Sequence, residues 1–310
     1  MDLFGEKLGA KPFLKWAGGK RQLIPTIQAV LPTSLRQEQD LIYVEPFIGG
    51  GAVLFWLLQT YPTIRRAIIN DINPDLVTAY RVVQQRPQEL IQSLAAIQEY
   101  YCGLPSEEVR RTYFEAARAE FNTRPLEELR NTALLIFLNR TCFNGLYRVN
   151  SKGHFNVPFG RYDRPTICQP HTIMAASQLL ARVTILEGDF AAVLAHAPAN
   201  SFFYFDPPYK PLSKTAAFNA YATETFDAMS QQRLADVCRA LDDQGQRWLL
   251  SNSDPQNTDA SDSYFDDLYA GFTIRRIQAK RNINSKGNGR GKISELLISN
   301  YAVDQVAELA

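Results

Sequence analysis

Short apolar runs that end in a polar or glycine-rich step recur along the chain, each followed by apolar residues at helical spacing. Leu41 to Val44 predicts a strand that runs into Pro46-Phe47-Ile48-Gly49-Gly50-Gly51, and Ala52 to Tyr61 predicts the helix after it. Ala67 to Ile69 predicts a second strand ending at Asn70-Asp71, with Pro74 suited to the first turn of a helix. After a long gap the alternation resumes. Val183 to Leu186 ends at Gly188-Asp189, Phe202 to Phe205 ends at Asp206-Pro207-Pro208-Tyr209, and Trp248 to Leu250 ends at Ser251-Asn252-Ser253. Between the last two, Leu234, Val237, Cys238 and Leu241 mark Ser230 to Asp243 as a helix. Ile274 to Ala279 and Leu296 to Tyr301 predict a closing hairpin. Strand, polar step and helix in repetition is the pattern of an open, doubly wound α/β sheet with ligands at the strands' carboxyl ends.

The gap has another character. Val77 to Ala119 reads as helical, broken by Pro87 and Pro105, and Asn131 to Asn139 reads as an apolar helix. Thr141 to Tyr162 is dense in Asn, Gly, aromatic and basic residues, which suits an ordered loop that presents side chains to a partner. The expected organisation is an α/β domain formed by residues 1–75 and 170–310, interrupted by a helical insertion at 76–169.

Composition excludes more than it identifies. With 45% hydrophobic and 21% charged residues among 310, wholesale disorder is excluded. The longest apolar runs fall short of the ~20 residues of a membrane span, and no secretory leader is evident at the N-terminus. Four cysteines without a CxxC pair and three histidines predict neither a disulfide framework nor a metal site. A soluble, cytoplasmic protein is expected. Net charge is only +1, but its distribution is uneven. Lys11 to Arg36 holds five basic residues and no acid, Arg130 to Arg164 six against Asp163, and Arg275 to Lys292 seven and no acid. These excesses predict a basic face for an anionic polymer, unless they are solvated surface brought together by chance.

Three motifs could carry chemistry. Glu45 to Gly51 at a strand end, with Asp71 closing the next strand, suits a nucleoside ligand whose ribose the acid would accept; the spacing is not GxGxxG, which disfavours a dinucleotide. Ala17-Gly18-Gly19-Lys20-Arg21 fails as a triphosphate loop, because Leu14 and Arg21 stand where glycine and a hydroxyl are needed. Asp206-Pro207-Pro208-Tyr209 is the most specific. Two prolines remove consecutive donors and stiffen the turn, so the Asp206 carboxylate and the Pro207 carbonyl can accept from an exocyclic amine while Tyr209 stacks on its ring.

These motifs, in this order, resemble the Dam-type (D12 class) DNA adenine-N6 methyltransferases, which use S-adenosylmethionine. Phe13-Leu14-Lys15-Trp16-Ala17-Gly18-Gly19-Lys20 resembles the family's N-terminal cofactor motif, and Glu45 to Gly51 its glycine motif, with Glu where many members have Asp. Asn70-Asp71-Ile72-Asn73 resembles its acidic second-strand end, Asp206 to Tyr209 its catalytic tetrapeptide, and Glu295 to Tyr301 its closing strand. Leu138-Asn139-Arg140 and Phe143 to Tyr162 resemble its target-recognition segment. The resemblance implies a Rossmann-like methyltransferase sheet with an inserted DNA-recognition domain, and a monomer acting on double-stranded DNA at GATC after flipping the adenine. In a prokaryote it also implies association with the nucleoid. By the same resemblance, Trp16, Lys20, Glu45, Phe47, Gly49, Gly51, Asp71, Asp189 and Asp206 would hold the cofactor. Asp206, Pro207, Pro208 and Tyr209 would act on the amine. Arg140, Phe143, Asn144, Leu146, Arg148, Asn150, Asn156, Pro158, Arg161 and Tyr162 would meet DNA, with Phe143 as an aromatic wedge. Arg–guanine, Asn–adenine and aromatic–base pairings agree physically.

Plainer readings stand beside these. Asn150 and Asn156 could serve loop turns, Phe143 the insertion core, and Trp16 packing, while Asn282 to Lys292 reads equally as a phosphate-tracking loop or a hairpin tip. Methylation of cytosine N4 or RNA adenine, and a catalytically silent DNA-binding module, are the competing functions.

Overall fold

The computed structural model describes residues 9–209, 226–280 and 292–302. The run beginning at Asn282 therefore lies outside the described residues as far as Gly291, and so do Arg281, Lys286 and Arg290 of the third basic excess. Among the described residues seven strands form one sheet: β1 (Leu41–Glu45), β2 (Ile64–Asp71), β3 (Val183–Glu187), β4 (Ser201–Phe205), β5 (Arg247–Ser253), β6 (Thr273–Lys280) and β7 (Lys292–Ser299). Their order is β3-β2-β1-β4-β5-β7-β6. The first five are parallel, and β7 pairs antiparallel with both β5 and β6. From β1 the chain winds outward through β2 to β3, then returns to lay β4 on the other side of β1. Strand direction of travel reverses there, and the crevice at such a reversal is where open α/β sheets bind ligands.

Strand composition follows from burial on two faces. All five residues of β4, Ser-Phe-Phe-Tyr-Phe, are buried. Phe202 and Tyr204 join the core that holds Tyr43 and Leu249, while Phe203 and Phe205 join the opposite one with Val44, Trp248 and Leu250. A strand covered by helices on both sides reads as a continuous apolar run for this reason.

The helices begin where the chemistry of their first turns allows. After β1, Ala52–Thr60 forms α2, following the shorter α1 (Ile24–Val30), which carries Pro25 in its first turn. In α3 (Pro74–Gln85), Asn73 caps the N-terminus by accepting from the Asp75 and Leu76 amides. Pro87 opens α4 (Pro87–Gly103), so the predicted break falls at Arg86, and Ser106 caps α5 (Glu107–Phe121). The apolar stretch at 131–139 lies within α6 (Glu128–Thr141), whose residues from Asn131 to Asn139 are all buried. A helix apolar on all sides is a core helix. One continuous apolar cluster joins Tyr43 and Ile69 of the sheet to Leu94, Phe114 and Phe137 of α4, α5 and α6. Helices α4, α5 and α6 thus continue the core of the sheet in packing. α7 (Pro170–Leu180) leads back to β3, and α8 (Ala228–Asp243) covers the other face.

Residues 141–162 are the loop that their composition predicts. Thr141 ends α6, and apart from a 3-10 turn at Phe143–Gly145 and two bridges, Cys142 with Phe159 and Val149 with Phe155, the rest is irregular. Phe143 N–H donates to Pro158 O and Gly160 N–H to Thr141 O, at 2.8 Å each, closing the neck of the loop.

Candidate active site

The polar steps after β1, β2, β3 and β4 converge on one cleft of about 620 Å³. β4 delivers Asp206 to its floor. Lys20 Nζ lies 2.7 Å from Asp206 Oδ1, and Ser251 Oγ, on neighbouring β5, donates to the same oxygen at 2.8 Å. Among the described residues both donors sit on Oδ1, which leaves Oδ2 as the unengaged acceptor. Burial pushes the Asp206 carboxyl above its ordinary range, while the Lys20 charge and the bonds from Lys20 and Ser251 pull it back. Lys20 is itself buried and also donates to Gly18 O at 3.0 Å. Its ammonium stands 4.5 Å from the centre of the Tyr209 ring, whose hydroxyl donates to Glu295 Oε2 on β7 at 2.8 Å. The tyrosine of the tetrapeptide is fixed from both ends.

β1 and β2 shape the opposite wall. Gly51 has φ +72°, and a Cβ there would lie 2.4 Å from the Tyr80 hydroxyl, so the bend into α2 needs glycine twice over. That hydroxyl donates to Gly49 O at 3.1 Å. Asp71 backs the same loop: Gly49 N–H donates to its Oδ2 at 3.1 Å and Asn73 N–H to its Oδ1 at 3.0 Å. Burial raises the Asp71 carboxyl, and these amides oppose the rise. Asn70 donates to Pro46 O and Gly188 O, and its own Oδ1 is buried without a partner among the described residues. Glu45 is buried and accepts from the Tyr43 hydroxyl at 2.8 Å. Burial raises its carboxyl well above the usual range; the Tyr43 bond opposes this and the nearby Asp206 charge adds to it. Phe47 stacks on Phe190 with centroids 5.3 Å apart and meets Phe226 edge-on. At the rim, Asp189 pairs with Arg233 at 2.9 Å.

The cleft brings together the residues expected to hold a cofactor (Trp16, Lys20, Glu45, Phe47, Gly49, Gly51, Asp71, Asp189 and Asp206) and the tetrapeptide residues Pro207, Pro208 and Tyr209. Four acids line it against two bases, Lys20 and Arg233. Sequence reasoning passed over Ser251 and Glu295 as partners of Asp206 and Tyr209. The signal was faint: Ser251 opens a polar step at a strand end, but its partner depends on the β4–β5 register.

The residues expected to meet DNA are not equivalent. Phe143 is 54% exposed, which removes it from the core, and Asn144, Leu146, Arg148, Pro158, Arg161 and Tyr162 are exposed with it. Arg148 is braced inside the loop, its Nε donating to Asn156 Oδ1 at 2.7 Å and an Nη to Asn156 O at 3.2 Å. Asn150 Oδ1 accepts from the Lys152 and His154 amides, so this side chain holds a turn. Arg140 departs from expectation. It lies on α6 and its guanidinium donates inward, to Phe13 O at 2.8 Å and Gln169 Oε1 at 3.3 Å. It ties the N-terminal motif to the start of α7 rather than facing a partner. The basic excesses shrink in the same way, since Lys20 pairs with Asp206, Arg130 with Glu120, and Arg276 with Asp254 and Asp266. Asn139 joins the two motifs: it accepts from Lys15 N–H and donates to Lys15 O and Gly145 O.

Comparison with known proteins agrees with this geometry. The family model for the D12 class N6 adenine-specific DNA methyltransferase matches residues 16–283. The Type II methyltransferase M.MjaIII of Methanocaldococcus jannaschii is 47% identical over 94% of this chain and 99% of its own. The Type II methyltransferase M1.LlaDCHI of Lactococcus lactis is 38% identical over 95% and 97%. A DNA adenine methylase of Vibrio cholerae is 36% identical over 93% and 95%. The matched span runs from Trp16 through Asp206-Pro207-Pro208-Tyr209 and past strand β6, and the chain belongs to the D12 class of N6 adenine-specific DNA methyltransferases.

Proposed function

We propose that this adenine-specific DNA methyltransferase takes its methyl group from S-adenosylmethionine and acts on the adenine of GATC in duplex DNA after turning that nucleotide out of the stack. The observation that carries the reading is Asp206: a buried carboxylate with one oxygen held by Lys20 and Ser251 and the other unengaged among the described residues, at the strand reversal beside a glycine-bent wall.

The cleft fits the donor chemically. Its acids outnumber its bases, which suits a cationic ligand, and the unpartnered Asn70 Oδ1 leaves an acceptor at the base of the glycine loop. Asp71 would take the ribose hydroxyls, Trp16, Phe47 and the glycine loop would shape the nucleoside pocket, and Asp189 would meet the adenine amine. When bound, the donor supplies a methyl on a positively charged sulfur. Asp206 and the Pro207 carbonyl accept the two N–H groups of adenine N6, drawing its lone pair out of conjugation. The ionised Asp206 also favours the positive charge that develops on that nitrogen. Tyr209, fixed by Glu295 and the Lys20 ammonium, offers a face to the extruded base. Flipping costs a few kcal/mol, offset by Phe143 filling the vacated space and by backbone contacts of the exposed loop.

Lys20 gives the reading a pH signature. Turnover needs Asp206 ionised; burial raises its pKa, and the Lys20 ammonium is the largest opposing influence. In Lys20→Met the carboxyl stays protonated to higher pH, so the acid limb of kcat moves upward. The profile is measured at saturating substrates; a limb that does not move detaches Asp206 ionisation from turnover. Target sequence is read by treating unmethylated DNA with the purified enzyme and digesting it with nucleases that cut GATC only when it is unmethylated or only when it is methylated. Conversion of every GATC site is expected. Labelled methyl in the DNA with GATC sites unchanged would keep adenine methylation and discard the sequence.

A further inference from the structure

Tyr147 sits in the recognition segment between the exposed Leu146 and Arg148, yet it faces inward. Its hydroxyl donates to Asp75 Oδ2 at 2.7 Å, and its ring stacks on Trp16 with centroids 4.9 Å apart and planes 25° from parallel. Asp75 is a strong anchor. It is buried at the start of α3 and also receives Arg124 Nη2 at 2.5 Å and Asn131 Nδ2 at 3.2 Å. Burial raises the Tyr147 phenol, so it remains a donor. Trp16 meets the glycine loop as well: a Cβ at Gly49 would lie 3.2 Å from its Cδ1, and one at Gly50 would lie 3.3 Å from its Cβ. The indole therefore packs against the Tyr147 ring as well as the loop that lines the cleft. Trp16 lines the cleft, and Tyr147 is not among the lining residues.

We infer that Tyr147 is a positioning residue that sets the plane of Trp16 for the methyl donor, with Asp75 as its anchor; this rests on the cofactor reading above. Three parts of the sequence meet at this stack: the N-terminal motif, the recognition segment and the helix that follows Asp71. Removing the ring leaves Trp16 free to turn, which weakens donor binding without touching the tetrapeptide.

The test uses the whole enzyme and S-adenosylhomocysteine as the probe, with affinity measured by calorimetry. Tyr147→Leu is expected to weaken binding about fivefold to tenfold. The KM for the methyl donor should rise in step, with kcat within about twofold of wild type. Tyr147→Phe keeps the ring and loses only its anchor, so it is expected to weaken binding about twofold to threefold. In a Trp16→Leu background neither change has a further effect, because the side chain through which Tyr147 acts is gone. Folded variants that bind as wild type does, or losses that add to that of Trp16→Leu, overturn the inference. Should Tyr147→Leu fail to fold, Tyr147→Phe alone and with Trp16→Leu decides by the same additivity. Wild-type enzyme that does not bind the probe overturns the cofactor reading itself.

Discussion

Asp206→Asn is expected to lower methyl transfer to duplex DNA about a thousandfold, the scale of losing a preorganised group that meets developing charge. The substitution keeps shape. An amide oxygen at the Oδ1 position still accepts from Lys20 and Ser251, so the local bonds survive. What is lost is the second carboxylate oxygen: an amide NH₂ presents donors to an amine whose own N–H groups need acceptors. The charge goes too, leaving the buried Lys20 ammonium without its counter-ion. Breaking a buried pair costs stability, up to about 3–5 kcal/mol when nothing replaces the partner, so the melting temperature is measured beside activity. Labelled methyl incorporation at saturating donor and DNA is the readout. S-adenosylhomocysteine binding should fall far less than turnover, since Asp206 is one of several cleft residues and Trp16, Asp71 and the glycine loop are untouched. Turnover within tenfold of wild type, in a protein that melts normally, would remove Asp206 from the chemistry.

The sequence made the sheet legible because its strands are buried on two faces. Phe202 to Phe205 could be read as a strand without any neighbour, and Gly51 as a bend without a known φ. Edges were less clear. β2 begins at Ile64, where exposed Arg65 and Arg66 interrupt the apolar run, and β7 ends at Ser299, where the Asn300 side chain takes over by bonding Trp248 N–H and Gln246 O. The cleft residues were legible because each stands at a strand end or in a motif. Their partners were not. Ser251 reaches Asp206 only through the β4–β5 register, and Asp75 gathers Arg124, Asn131 and Tyr147 from separate elements. Charge was the poorest guide. A count over Arg130 to Arg164 treats Arg140 and Arg148 alike, yet one guanidinium points into the core and the other is held on the exposed loop.

That difference makes Arg148 the sharper test of sequence reading. Arg148→Ala is expected to reduce the preference for GATC over a duplex with one guanine replaced by about ten- to a hundredfold, the worth of a good bidentate arginine–guanine pair. The two kcat/KM values are compared at one salt concentration, because phosphate contacts weaken with salt and would otherwise blur the ratio. In the free enzyme the guanidinium lies along Asn156, bonding its side-chain and main-chain oxygens through Nε and one Nη. Such bracing lowers the cost of ordering a long side chain at binding, and it leaves further N–H groups of the planar fork for a base edge. Arg148→Lys should not restore the ratio, since a single ammonium cannot reproduce that fork. Asn156→Ala should cost less than Arg148→Ala, as it loosens the brace and keeps the reader. A ratio unchanged in Arg148→Ala would reduce the pair to a strut within the loop and move guanine recognition to another exposed side chain of the segment, with Arg161 next in line.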